Sequence, residues 1–264
     1  MKKLLVSLFA ILFFVGGFNL KAFAAEEIID DQTLYNTAVQ SGAIDQSEVS
    51  LEQWSEQNKE FKKIFDEGKQ TGVLKGDISY NEWLKESNYG QFEREDAKTR
   101  VPRATVGGFN IKAGDILITN GTSSAGIVGH AAIANGDNHI LDIPGPGQTT
   151  RQLSTASWIN EYKKKGWVKV YRLNNNSLAR QAASWADRNY YSTSGSATQN
   201  IFPKYGIDYH LYSKNPTYCS KIVYQAYYYG TGSASVMIPS SGFVAPYGLI
   251  AKFNMKPNLV KTYN

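Results

Sequence analysis

Two rhythms of apolar residues divide the chain. In the first part, from Glu26 to about Arg103, Leu51, Trp54, Phe61, Ile64 and Phe65 recur at helical spacing with Glu and Lys between them. Ser50-Leu51-Glu52-Gln53 and Ser79-Tyr80-Asn81-Glu82 each place a hydroxyl three residues before a Gln or Glu. That spacing lets the two side chains satisfy free amides at a helix start, so it predicts helices from both points. Gly72 and Gly76 separate the helices, and the polar stretch from Ser87 to Arg103 has no period and reads as a linker. From about Gly107 the rhythm shortens. Asp115 to Thr119, His130 to Ala134, His139 to Ile143 and Trp167 to Tyr171 are β-prone runs bounded by Asn120-Gly121, Gly136-Asp137 and Gly145-Pro146-Gly147. Helices are predicted over Ser157 to Lys165, Ser177 to Arg188 and Ser220 to Tyr229, with Gly166 and Gly230 as stops. The tail from Thr231 is loop with one late strand. Strands interleaved with helices in this way predict an α+β fold, an antiparallel sheet packed against helices.

The chain start adds a localisation. Lys2 and Lys3 precede an apolar run from Leu4 to Phe18, and Ala22-Phe23-Ala24 is a small-x-small cleavage triplet. These features predict a signal peptide over residues 1–24, a helical accessory region over 25–103 and a second domain over 104–264. No later apolar run is long enough to cross a bilayer, so the expectation is a mature chain without a transmembrane segment, secreted or associated with the cell wall. The net charge of +5 hides an asymmetry: Glu26 to Arg103 holds 17 acidic and 10 basic residues, Ala104 to Asn264 holds 6 acidic and 15 basic. A basic half outside the cell suits an anionic wall polymer or a membrane surface; equally, the acidic half docks on the basic one. With an export signal and no binding motif, nucleic acid is not an expected partner.

The chain has one cysteine, so no disulfide within it holds the fold. Cys219 falls just before the helix predicted from Ser220, where the positive end of the helix dipole favours a thiolate. A partially exposed thiolate there is a nucleophile; the alternative is a buried structural cysteine. His130 follows Gly129 and opens a strand of small residues, a place from which an imidazole can hold the thiol proton and deliver it to a leaving group. Asp142 lies on the next strand and reaches His130 if the two strands form a hairpin, fixing the tautomer of the ring. His139, three residues before Asp142, would point to the opposite face, and His210 reads as surface. The His, Cys and carboxylate positions lack metal-ligand spacing and there is no phosphate loop, so neither metal nor nucleotide cofactor is expected.

Gly114-Asp115-Ile116-Leu117, Gly129-His130-Ala131-Ala132-Ile133, Lys204-Tyr205-Gly206-Ile207-Asp208-Tyr209 and Tyr218-Cys219-Ser220-Lys221-Ile222-Val223 resemble, in order, the blocks of the YiiX-like proteins. Those are circularly permuted relatives of the NlpC-type cell-wall cysteine hydrolases, with a papain-like core in which the His precedes the Cys. The resemblance covers roughly Lys112 to Tyr229. It implies Cys219 as nucleophile, His130 as base and Asp142 at the third position, where relatives usually carry Glu or another polar group. It also implies that Tyr205 helps the Cys219 backbone amide hold the oxyanion. Lys221 departs from the pattern, since relatives often carry an acid there. The expected activity is amide hydrolysis through a thioester, on cell-wall peptides. Two alternatives stand beside it: acyl hydrolysis or transfer on lipids, and a non-catalytic wall-binding module.

Overall fold

The computed structural model describes residues 29–92, 109–122, 126–136, 138–232 and 234–264; the expected signal peptide and much of the expected linker lie outside them. The first helices are α1 (Asp31–Gln40), α2 (Leu51–Gln70) and α3 (Tyr80–Glu86). Both capping boxes form as the sequence predicts, Ser50 with Gln53 and Ser79 with Glu82. Then follow β1 (Ile116–Thr119), β2 (His130–Gly136), β3 (His139–Asp142), β4 (Arg151–Ser154), α4 (Thr155–Lys163), β5 (Val168–Arg172), α5 (Asn176–Tyr190), α6 (Cys219–Gly230) and β6 (Asn258–Tyr263). The strands form one antiparallel sheet in the order β4-β3-β2-β1-β5-β6. The α+β expectation is met.

Strand alternation sends Ile116, Ile118, Ala131, Ile133 and Leu141 to one face, where they join the buried side chains of α5, α6 and the first three helices. Leu117, Ala132, Ala134, Ile140 and Val170 take the other face, covered by Trp158, Ile159 and Tyr162 of α4. α5 and α6 approach closely at Gly230, where a Cβ would lie 2.8 Å from that of Trp185. The first three helices share the larger core. Backbone bonds join Lys75 N to Ile207 O and Ile207 N to Val73 O, and the Trp83 indole donates to Gly126 O at 2.8 Å. Among the described residues, charged groups of the two halves also meet where Lys252 pairs with Glu86 and Tyr209 donates to Glu82.

Candidate active site

β2 and β3 form the expected hairpin, with Ile133 opposite Leu141 and Ala134 opposite Ile140. Continuing that register sets Asp142 beside Ala132, and His130 lies two residues further along β2 on the same face. Their side chains meet: His130 Nε2 donates to Asp142 Oδ2 at 2.8 Å. His139 is exposed at the start of β3, and His210 is exposed and lies 3.3 Å from Asp208, so neither joins the cluster.

Asp142 is completely buried and accepts from more than the histidine. Trp158 Nε1 donates to Oδ2 at 2.8 Å, Arg151 Nε to Oδ1 at 2.8 Å, and the Tyr162 hydroxyl to Oδ2 at 3.3 Å. Burial alone would raise its pKa. The bonds from His130 and Arg151 outweigh burial and hold it at about 2, so the carboxylate is ionised throughout the physiological range. Trp158 and Tyr162 also stack on the His130 ring, at centroid distances of 6.0 and 5.0 Å. The imidazole is thus fixed on its edge by a carboxylate and on its face by two aromatic rings.

Cys219 is the first residue of α6. Tyr218 caps the helix in an extended conformation without a side-chain bond, so the first amides of α6 and the positive end of its dipole are turned toward the thiol. The start of the helix is pinned by Ser220 Oγ donating to Val244 O at 2.6 Å and Val244 N donating to the Tyr218 hydroxyl at 3.0 Å. From there the Cys219 sulfur lies close enough to the His130 imidazole for its charge to raise the pKa of the ring. Nε2 is committed to Asp142, which leaves Nδ1 for the sulfur. Burial pushes the His130 pKa down. The Cys219 charge and the Asp142 bond push it up further, to about 9. Gly129 makes the approach feasible: its φ is +75°, and a Cβ there would lie 2.5 Å from the Tyr247 ring and 3.0 Å from Thr119 O.

Tyr205 is held beside this cluster by a bridge to Thr217, two residues before the cysteine, with Gly206 N donating to Thr217 O at 2.9 Å. Burial, then the charges of Cys219 and Tyr218, raise its pKa well above that of a free phenol. Lys221 turns away from the cluster. It is fully buried, donates to Pro216 O at 2.9 Å and lies 3.5 Å from Asp208, tying α6 to the segment that follows Tyr205.

One expectation is corrected. The thiol is not partially exposed: Cys219 is 1% and His130 2% accessible. The cysteine belongs to the large core, close enough to the imidazole and to Tyr205 for its charge to raise the pKa of both. Three residues of the cluster were missed by sequence reasoning. Trp158 and Tyr162 lie four apart on the helix expected from Ser157 and Arg151 on a short polar strand, with no motif to mark any of them; only the fold shows that all three converge on Asp142.

The family model described as "Lipoprotein N-acylation protein LnsA-like" matches residues 91–263. An "Uncharacterized 30.3 kDa protein" of Bacillus thuringiensis is 60% identical over 270 residues, covering 100% of both chains. The crystal structure of metalloprotein yiiX from Escherichia coli O157:H7 is similar over 56% of this chain and 87% of that one, at 15% identity and a TM-score of 0.34. The family model spans well over half of the chain, and the chain belongs to the family described as lipoprotein N-acylation protein LnsA-like.

Proposed function

We propose that this protein is a cysteine-dependent acyltransferase that takes an acyl chain from a lipid ester and passes it to an amine. Its family is of acyl-transfer or hydrolase type. The observation that carries the finer reading is a Cys219–His130–Asp142 cluster shut off from water, in a chain whose family description names N-acylation. In this reading the core is of the permuted papain-like, NlpC type, and the reaction takes place outside the cytoplasm after export.

In this reading the reaction has two halves. The Cys219 thiolate adds to the ester carbonyl carbon, and the amides at the start of α6, with the Tyr205 hydroxyl, donate to the resulting oxyanion. As the C–O bond breaks, His130 gives its proton to the departing alkoxide, leaving an acyl thioester on the sulfur. An amine then attacks the thioester, His130 takes the proton from the amine, and the C–S bond breaks to return the thiolate. Asp142 keeps the ring in the required tautomer and stabilises its charged form.

The amidase expected from the sequence uses the same thiolate, with water as the acceptor and a wall peptide as the donor. The two readings separate by product. Incubated with phospholipid and a lipopeptide bearing a free N-terminal amine, the protein yields the N-acyl lipopeptide. Release of free fatty acid alone, or cleavage of purified wall peptides with no acyl transfer, would reject the transferase reading.

A further inference from the structure

A second feature lies at the opposite end of α6 from the thiol, about 15 Å away at 1.5 Å of rise per residue. Tyr229 is 41% and Tyr212 39% exposed, with Ile238 at 40% close by. The Tyr229 ring stacks on Trp185 of α5 at 5.4 Å and meets Tyr228 edge-on at 5.0 Å; Tyr212 lies 5.0 Å from Tyr228. Tyr224 donates to Ile238 O and adjoins Tyr212, so the exposed isoleucine belongs to the same patch. Beside this ridge runs a shallow groove on α5 lined by Ser177, Arg180, Ser184, Trp185, Arg188 and Asn189.

The groove is cationic. Arg180 and Arg188 are exposed, two helical turns apart on one face, and form no ion pair among the described residues. Lys214 adds a third charge where it donates to Asn189. Asp187, the one acid of α5, accepts from Asn135 and Gln152 through Oδ1, while its Oδ2 and the Arg188 guanidinium both lie beside Gly195, so the acid offsets part of one charge and leaves Arg180 and Lys214. Aromatic rings with an apolar body and a polar tip, bordered by exposed guanidinium groups, match the boundary between acyl chains and phosphate headgroups.

We propose that this aromatic and cationic face is a membrane-docking surface that binds anionic phospholipid headgroups. Among the described residues no helix is long and apolar enough to cross a bilayer, so contact through these residues must be peripheral. The surface lies apart from the thiol, and its role stands whether or not the acyl-transfer reading does.

Trp185 supplies the readout in a Trp167→Phe background, since Trp54, Trp83 and Trp158 are fully buried while Trp167, like Trp185, is only partly so. The full chain is mixed with vesicles of brominated phosphatidylglycerol or brominated phosphatidylcholine. Tryptophan quenching is expected with the anionic vesicles, at least tenfold weaker binding to the zwitterionic ones, and loss of affinity as salt rises. Arg180→Glu with Arg188→Glu should weaken binding at least tenfold at an unchanged melting temperature, and Trp185→Phe should remove the quenched component. Equal binding to both vesicles, quenching that persists in Trp185→Phe, or charge-reversed protein that binds normally would each overturn the proposal. Charge reversal that abolishes binding to soluble poly(glycerol phosphate) while leaving vesicle binding intact would assign the face to a wall polymer and overturn it too.

Discussion

Asp142 shows how much of the site is devoted to one histidine. It takes bonds from His130, Trp158, Arg151 and Tyr162, and no water is needed to keep it charged. Asp142→Asn removes that charge and the preference for the correct tautomer, so kcat should fall by about a hundredfold or more, as expected for loss of general acid–base function. The His130 pKa of about 9 sets the alkaline limb: the rate falls as pH rises through that value, because the ring no longer has a proton for the leaving group. In Asp142→Asn that limb should move to lower pH, which a pH–rate profile checks directly. The same shifts govern stability. Asp142, lowered from 3.8 to about 2, contributes stability that is complete above pH 4 and lost as pH falls through 2. His130, raised from 6.5 to about 9, contributes stability complete below 6.5 and lost as pH rises through 9. Melting temperatures across pH should therefore fall at both ends. Cys219, His130 and Asp142 were legible because a lone thiol before a helix, a Gly-His strand start and period-2 alternation are local signals. The partners of Asp142 were not, because an indole donor on an apolar helix face looks like any packed tryptophan until the sheet is in place.

At the scale of elements, the helices with caps and the strands with turn signals were the readable ones. β4 was not foreseen: Arg151-Gln152-Leu153-Ser154 is polar, half-buried and at the sheet edge, and lacks the apolar alternation that marks a strand. The end of β4 also supplies Ser154 as the cap of α4, which starts that helix two residues before the sequence suggested. The turn into β2 is the most exacting junction. Gly129→Ala forces a side chain into a left-handed conformation and against both Tyr247 and the backbone of Thr119, so it should cost at least about 1–3 kcal/mol and displace His130. Denaturant unfolding gives the energy, and the activity of the folded fraction gives the displacement. Ser79→Ala, which removes one cap of α3, should cost only about 1 kcal/mol and leave the chemistry unchanged.

Across the whole molecule, the helical region read as an accessory turns out to be bound into the core. Leu74, Trp83 and Leu84 are buried in the same cluster as Ile118, Ile127 and Val223. Nothing in the helical periodicity could reveal this, since an amphipathic helix has the same pattern whatever covers its apolar face. A chain starting near Arg103 would expose that surface, and it should fail to fold or aggregate when expressed; a soluble, more active fragment would instead make the region an inhibitory segment.

The central claim is that Cys219 carries the acyl group during turnover. It is tested most directly by intact-protein mass spectrometry after mixing with phospholipid vesicles and quenching in acid. The account predicts a mass increase of one acyl chain, located on the peptide holding Cys219, discharged by an amine-bearing lipopeptide and absent from Cys219→Ala. Turnover without any such adduct, or an adduct that persists in Cys219→Ala, would contradict it.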